Sequence, residues 1–398
     1  MAELDRPWLE TPFKLQGFYV RTTEDAQRIA EYCRSVWVDP RRYDSRLVQP
    51  QRRNGASNES PPEHQAPKPA APAAGSELLG RETYEDHTPV EEEFPVARQA
   101  LNSSAEAFEG FWEALTLRRR VHVANLRAAV DPLVDSILRN KDALVTLMRV
   151  QHLDRNTHEH CMALAVWGSL LGRQLGLPPD AIKALALGCS LVDVGKIRLP
   201  KQMLYKPGPL TPGEFQIVKS HVDYALQMLE QMDHPPEEVV NIVRWHHERM
   251  DGTGYPDGLE GHDIPMFARI AGIVDSYDAM ISPRTYAPVC SSYEALIELQ
   301  DQCPAQFQTE LVEQFAQAIG LFPNGALVEL STGEVGVVCG QNAGRRLRPK
   351  VMIILGTDKR PRAELHIIDL KSLGENQIRI ARELAKNEYG IDAREYFL

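Results

Sequence analysis

Residues 246–280 read HHERMDGTGYPDGLEGHDIPMFARIAGIVDSYDAM, and the fold and the chemistry of the chain are decided here. Two adjacent histidines, His246 and His247, end a helical pattern and open directly onto a glycine-rich loop. Asp275 then lies within an apolar helical run, where an unpaired carboxylate would be costly to bury. Imidazoles grouped with a buried carboxylate on helices are typical of a transition-metal site.

Further candidate ligands precede this stretch. His160 lies early on one predicted helix, Asp193 lies in the run LVDVGK, and His221 lies on another helix. Taken singly, each is a weak signal: a lone helical histidine such as His221 is more often a core or surface residue, and Asp193 could be a polar residue at a helix end. Together they suit iron, manganese or zinc better than magnesium or calcium, because imidazole prefers the transition metals. Two such metals can clamp both oxygens of an in-line phosphoryl displacement.

Helical periodicity surrounds these candidate ligands. Apolar residues recur at three- and four-residue spacing, and proline pairs and glycines separate the helical segments. The pattern predicts an all-α domain over 151–320, preceded by a helical connector over 95–150. From 321 the pattern changes to β-branched runs such as GALVELSTGEVGVVC, which predict a hairpin within a small β-rich appendage over 321–398. The final run, 378–398, looks helical and is left unplaced.

The N-terminal part has a different character. Residues 1–45 predict a small α/β unit, with a strand at GFYVRT, a helix at EDAQRIAEYCRS and a second strand at VWVD. Residues 46–94 are rich in proline, alanine and serine and contain few large apolar side chains. Such a composition buries too little apolar surface to offset the entropy of ordering, so it predicts a disordered linker.

Composition excludes several classes of protein. The chain has 398 residues, with 44 Lys and Arg against 55 Asp and Glu, so its net charge of −11 argues against a nucleic-acid binder. No apolar run is long enough to span a membrane, and the acidic start MAELDRPWLETPF is unlike a signal peptide. Six cysteines without a CxxC motif indicate reduced thiols and a cytoplasmic protein.

The stretch 246–280 closely resembles the signature of HD-GYP domains. Two upstream runs, DRNTHEHCMALAV and LVDVGKIRLPKQMLYKPGPLTPGEFQIVKSHV, resemble the same family, so the similarity covers about 150–320. Residues 1–45 look like the small domain of unknown function that often precedes such domains. The resemblance implies a mainly α fold: an all-helical HD-type metal phosphohydrolase domain, with a small α/β N-terminal unit and a small β-rich C-terminal appendage.

The resemblance also implies a chemistry. HD-GYP domains hydrolyse the bacterial second messenger cyclic di-GMP to pGpG or GMP at a centre of two or three metals, commonly iron or manganese. The ligands implied here by position are His160, Asp193 and Asp275 for one metal, and Asp193 as a bridge with His221, His246 and His247 for the other. Lys196 matches a catalytic lysine beside the scissile phosphate. Arg284 and Tyr255 match substrate contacts, and the GYP loop matches a surface that docks diguanylate cyclase domains.

Three positions depart from the family pattern. Val192 stands where the family has the histidine of its His-Asp pair, so the first metal keeps three protein ligands, and a single firmly bound metal is an open alternative. Asn156 replaces the glutamate that builds a third metal site in some members, which favours a binuclear centre. Ala287 replaces a frequent basic residue and removes one phosphate contact.

Three functions compete on these residues. The first is a metal-dependent cyclic di-GMP phosphodiesterase. The second is a degenerate domain that binds cyclic di-GMP or partner signalling proteins without turnover. The third, a metal phosphohydrolase acting on other nucleotides, shares the ligands but not the GYP loop and ranks last.

Overall fold

The computed structural model describes residues 3–4, 36–37, 80, 82–150, 157–206, 208–233, 235–282, 290–342, 348–373, 378–384 and 388–396. They belong to two compact units, Met1–Ser76 and Glu77–Leu398. In the first unit, β1 (Glu3–Leu4) pairs antiparallel with β2 (Val36–Trp37). The strand predicted at GFYVRT, the helix predicted at EDAQRIAEYCRS and the linker over 46–79 lie outside the described residues.

The second unit is mainly helical, as the sequence predicts, and this expectation is confirmed. Its helices are α1 (Val90–Thr116), α2 (Val123–Arg139), α3 (Lys141–Val150), α4 (Thr157–Gln174), α5 (Pro179–Cys189), α6 (Lys201–Leu204), α7 (Pro212–Lys219), α8 (His221–Leu229), α9 (Glu237–Trp245), α10 (Met266–Ile281), α11 (Ser292–Asp301) and α12 (Thr309–Ile319). Short 3₁₀ helices span Val194–Arg198, Gly261–Asp263, Glu388–Gly390 and Ala393–Tyr396.

Local sequence explains where several of these helices begin. Thr211 and Ser291 cap α7 and α11, each in a capping box with a glutamate three residues later. The core between the helices contains large side chains that are fully buried, among them Trp167 of α4, Tyr277 of α10 and Phe315 of α12. No helix among the described residues is both long and apolar enough to cross a membrane.

Residues 82–94, which the sequence assigns to the end of the linker, pack on the helical domain. Tyr84 donates a hydrogen bond from its hydroxyl to the carbonyl of Leu177 at 2.7 Å. Helix α1 begins at Val90, and the buried Glu93 accepts a bidentate hydrogen bond from Arg139 of α2 at 2.8 and 2.9 Å. This paired charge holds the start of α1 against α2.

The C-terminal residues form a five-stranded antiparallel sheet in the order β6-β5-β4-β3-β7. Its strands are β3 (Leu327–Leu330), β4 (Val335–Gly340), β5 (Lys350–Leu355), β6 (Pro361–Asp369) and β7 (Ile380–Glu383). The β-rich appendage and its hairpin, β3 and β4, are confirmed. The run left unplaced begins with β7, because its alternating side chains pair with β3 and allow Arg382 to donate to Glu329 at 2.9 Å.

Candidate active site

Five segments of the helical domain bring the predicted ligands together. His160 lies in the first turns of α4, and Asp193 precedes the 3₁₀ helix Val194–Arg198. His221 is the first residue of α8, the pair His246 and His247 follows α9, and Asp275 lies on α10. Ligand-type side chains distant in sequence therefore converge on one buried place, and Lys196 and Tyr255 lie beside them.

Three histidines form the most compact cluster of this site. One ring nitrogen from each of His221, His246 and His247 lies within 4.8 Å of the other two. His221 Nδ1 donates to the carbonyl of Val218 at 2.8 Å, and His246 Nδ1 donates to that of Val243 at 2.9 Å. A carbonyl only accepts, so Nδ1 carries the proton and Nε2 presents a lone pair.

The Nε2 atoms of His221 and His246 are buried and have no hydrogen-bond partner among the described residues. Buried polar atoms are nearly always paired, so two buried nitrogens without a hydrogen-bond partner indicate a ligand. A divalent transition metal fits this donor set, because imidazole is its preferred ligand and because the backbone fixes each tautomer. His221, His246 and His247, with Asp193 nearby, would hold it.

His160 forms the other half of the site, among carboxylates. Its Nε2 lies 3.1 Å from Asp275 Oδ1 and 3.6 Å from Asp193 Oδ2. Its Nδ1 donates to Asp278 Oδ2 at 2.7 Å. Asp278 is fully buried and also accepts the indole N–H of Trp167 at 2.9 Å. The ring is therefore held from behind by one carboxylate and faces two others, an arrangement that suits a metal ligand with an orienting partner.

Asp193 lies between the two halves. Its Oδ1 lies 3.7 Å from His221 Nε2, and its Oδ2 lies 2.5 Å from the ammonium of Lys196. Burial alone would raise the pKa of Asp193, but the charges of Lys196 and His160 outweigh burial and hold this pKa below its usual range. The carboxylate stays ionised and can bridge two cations.

The histidines of the two halves differ in their protonation. Burial, with the neighbouring His221, lowers the pKa of His246 to about 4, and burial also lowers the pKa of His247. Burial opposes the charged form of His160 too, but hydrogen bonds to Asp275 and Asp278 outweigh it and raise the pKa to about 10. The three-histidine cluster is neutral and ready to bind a metal at neutral pH, whereas His160 holds a proton that a metal must displace.

Val192 is completely buried and belongs to the apolar core. Its side chain offers no metal ligand, so the half of the site around His160 has three candidate ligands among the described residues: His160, Asp193 and Asp275. The departure seen in the sequence therefore affects only one half of the site and leaves the three-histidine cluster intact.

The loop after the histidine pair is held by Glu248. This buried carboxylate accepts the backbone N–H groups of Asp257, Gly258 and Leu259 at 2.7, 3.0 and 3.1 Å. A Cβ atom on Gly254 would lie 2.4 Å from the Cα of Glu248, so only glycine fits where the loop crosses the histidine segment. The loop is therefore packed against the segment that carries the histidine pair, in addition to following it in sequence.

Tyr255 covers one side of the cluster. Its ring stacks on that of His247, with centroids 4.6 Å apart and an angle of 26° between the planes. The ammonium of Lys219 lies 4.7 Å from the centroid of the Tyr255 ring. An aromatic face and a cation therefore border the three-histidine cluster, and both are suited to contact a nucleotide.

Three positions discussed from the sequence, Asn156, Arg284 and Ala287, lie outside the described residues. Asp278, which orients His160, was not singled out from the sequence. For Glu248, which holds the loop, the sequence left open a supporting carboxylate or a solvated loop group. The spacing of Asp278 three residues after Asp275 on one helix was the available signal, since it places both on the same face. No sequence pattern identified the partners of Glu248.

Three family models match the chain in succession. A domain of unknown function (DUF3391) matches residues 1–126, an HD domain matches residues 136–310, and a KOW domain associated with the HD domain matches residues 327–391. A cyclic di-GMP phosphodiesterase of Pseudomonas aeruginosa is 30% identical over 370 residues, which cover 92% of this chain and 85% of that protein.

Two further relatives match less than half of the chain. A cyclic di-GMP phosphodiesterase of Thermotoga maritima is 33% identical over 42% of this chain and 46% of its own length. A 3′3′-cGAMP-specific phosphodiesterase of Vibrio cholerae is 32% identical over 46% of this chain and 36% of its own length. Together with the near full-length match, these similarities show that the chain belongs to the HD-GYP family of phosphodiesterases, with a DUF3391 domain before its HD domain.

Proposed function

We propose that this chain hydrolyses cyclic di-GMP to pGpG or GMP in a reaction that depends on a divalent transition metal, iron or manganese. The observation that carries the proposal is the three-histidine cluster, in which the Nε2 atoms of His221 and His246 are buried without a partner. The near full-length similarity to a phosphodiesterase named for this substrate supports the choice of cyclic di-GMP.

A bound divalent metal would supply Lewis-acid polarisation of the phosphate and acidify water at neutral pH. His221, His246 and His247 would hold one metal, and His160, Asp193 and Asp275 would hold a second, with Asp193 shared. Asp278 keeps His160 in one orientation.

Lys196 is the residue that we propose for electrostatic catalysis. Burial opposes its charge, but Asp193 outweighs burial and raises the pKa of Lys196, so the ammonium stays charged. A fixed cation beside the metal cluster stabilises the negative charge that develops on a phosphate during in-line displacement. Tyr255 and Arg284 are the proposed substrate contacts, the first through its ring and the second through a phosphate.

The half of the site that lacks a histidine at position 192 favours a second candidate, a domain that binds cyclic di-GMP or a signalling partner without turnover. His160 Nε2 is already engaged at 3.1 Å with Asp275 Oδ1, and Val192 adds no ligand. A weakly held second metal would leave one metal and a nucleotide pocket. In this reading the GYP loop, residues 250–262, docks diguanylate cyclase domains.

The decisive experiment is turnover of cyclic di-GMP by the purified full chain, carried out without oxygen and with added Mn(II) or Fe(II). Products are separated by chromatography, and 3′3′-cGAMP is run in parallel because one relative is named for it. Val192→His tests the missing ligand and His246→Gln tests the cluster. His366→Gln, an exposed histidine of β6, is the matched control.

We expect the native chain and His366→Gln to be active, His246→Gln to be inactive and Val192→His to be faster. A silent native chain with an active Val192→His would leave the binding role. Silence in both would remove the catalytic proposal.

We place the activity in the cytoplasm, in keeping with the free thiols of Cys161, Cys189, Cys290, Cys303 and Cys339.

A further inference from the structure

The C-terminal sheet places a buried carboxylate against the helical domain. Glu383 ends β7, and 7% of its side chain is exposed. Its Oε2 accepts the backbone N–H of Tyr293 at the start of α11 at 3.1 Å, and its Oε1 lies 3.5 Å from a guanidinium nitrogen of Arg149 on α3. A carboxylate at a helix N-terminus and beside a guanidinium is stabilised by both. Glu383 thus joins β7 to two helices.

Arg149 extends this contact into the core. A second guanidinium nitrogen donates to the hydroxyl of Tyr277 on α10 at 3.4 Å and to the hydroxyl of Ser292. The hydroxyls of Tyr277 and Ser292 are themselves 2.9 Å apart. One guanidinium therefore connects the sheet with the helix that carries Asp275 and with the first residue of α11.

Tyr277 lies between the metal-site residues of its helix. It follows Asp275 by two positions and directly precedes Asp278. Its buried ring meets Trp167 edge-on, with centroids 5.8 Å apart. Trp167 donates to Asp278, and Asp278 accepts from His160. The contacts therefore run without interruption from Glu383 to a candidate metal ligand.

We propose that Glu383 of the C-terminal sheet is a positioning residue of the metal site, because it fixes Arg149, which in turn holds Tyr277 and the start of α11. This inference rests on the proposed function, in which the site binds a metal. It gives the C-terminal sheet a role in positioning that site. Loss of the contact between Glu383 and Arg149 should therefore weaken metal binding.

The test compares Glu383→Gln with Glu329→Gln in the full chain. Glu329 offers a matched control because it is a carboxylate of the same sheet, but it pairs with Lys359 and Arg382 of the C-terminal region. Three properties are measured: hydrogen exchange of peptides from α10 and α11, Mn(II) affinity by electron paramagnetic resonance, and kcat and KM for cyclic di-GMP. Arg149→Met and the double variant complete a cycle that measures the coupling.

We expect Glu383→Gln to speed hydrogen exchange in α10 and α11 and to weaken Mn(II) binding by about 2- to 30-fold, the range found for coupling through packed networks. KM for cyclic di-GMP should rise. Glu329→Gln should match the native chain. Arg149→Met and Glu383→Gln should be non-additive, since they break one contact.

A Glu383→Gln protein with lower stability but native Mn(II) affinity and native KM would overturn the proposal and leave a structural ion pair. Native exchange in α10 and α11 would overturn it as well. If the native chain bound no Mn(II) and hydrolysed nothing, the proposed function would fail and positioning of a metal site by Glu383 would fail with it. Failure of the inference alone would instead appear as an active native chain with an unaltered Glu383→Gln.

Discussion

The Nδ1 atom of His160 lies 2.7 Å from Oδ2 of Asp278, a carboxyl group on a different helix that is completely buried. This pair makes the orientation of a candidate ligand depend on a residue that need not touch the metal. Outer carboxylates of this kind fix the ring and raise the basicity of its other nitrogen.

Asp278→Asn should therefore weaken metal binding without removing a ligand. The amide retains one acceptor oxygen but loses the charge that orients His160. We expect Mn(II) affinity to fall about 10- to 100-fold, the usual effect of losing such a partner. Titration of the full chain with Mn(II) measures it, with Asp301→Asn, an exposed aspartate at the end of α11, as the control. Equal affinities for the two variants would contradict the role of Asp278.

Glu248→Gln should loosen the GYP loop. A glutamine presents one acceptor oxygen and one NH₂ group, so at least one of the three loop N–H groups loses its partner. An unpaired buried donor costs about 1–3 kcal/mol, and the free energy of unfolding should fall by this amount. Denaturant unfolding measures the change, and hydrogen exchange should rise in residues 254–259.

Glu230→Gln, at an exposed carboxylate after α8, is the comparison for Glu248→Gln. It should behave as the native chain in both measurements. Loop exchange that is equally slow in the two variants would mean that the hydrogen bonds of Glu248 do not hold the loop.

Gly195→Ala should disrupt the site through packing alone. A Cβ atom there would lie 1.9 Å from the carbonyl oxygen of His221 and 2.6 Å from the backbone N of Ala225, so the 3₁₀ helix must move away from α8. We expect a loss of stability of more than about 2 kcal/mol, because backbone atoms cannot yield as a side chain can. Gly213→Ala meets nothing within 4 Å and should be neutral or slightly stabilising. Thermal unfolding of Gly195→Ala and Gly213→Ala measures the difference. Equal melting temperatures for the two variants would contradict the close packing at Gly195.

The buried histidines should make the metal-free protein sensitive to mild acid. His246 has a pKa of about 4 when folded, below the value of about 6.5 for an unfolded histidine, so the unfolded chain binds more protons between these values. Stability then falls as pH drops through this window, by about 1.4 kcal/mol per pH unit for each such histidine.

His160 acts in the opposite direction. Its folded pKa of about 10 lies above the unfolded value. Its contribution to the free energy of unfolding is therefore complete below about pH 6.5 and is lost as the pH rises through about 10. Denaturant unfolding between pH 4 and 7 measures how the free energy of unfolding falls towards acid pH. His246→Gln should make this fall less steep. If the free energy of unfolding of His246→Gln depended on pH as steeply as that of the native chain, His246 would not be the cause of the loss of stability in acid.

Much of the helical architecture followed from the sequence because its apolar residues keep a helical period. The convergence of His160, Asp193, His221 and Asp275 could be anticipated only through the family resemblance, since ligands so far apart carry no periodic signal. The contacts of Glu248 and Glu383 were beyond reach, because each depends on backbone N–H groups brought close by tertiary packing. The strand at 380–383 was missed because a helical pattern of side chains is overridden by pairing with β3.

The two halves of the candidate metal site differ in the number of residues that separate their side chains in sequence. His221 and His247 are separated by about 26 residues, whereas His160 and Asp275 enclose about 115, and the longer closure costs about 1.3 kcal/mol more in chain entropy. During synthesis the three-histidine half can assemble once α8, α9 and the histidine pair have emerged from the ribosome, before α10 has emerged. The half around His160, which lacks a histidine at position 192, needs α10 as well and is thus also the later one to form.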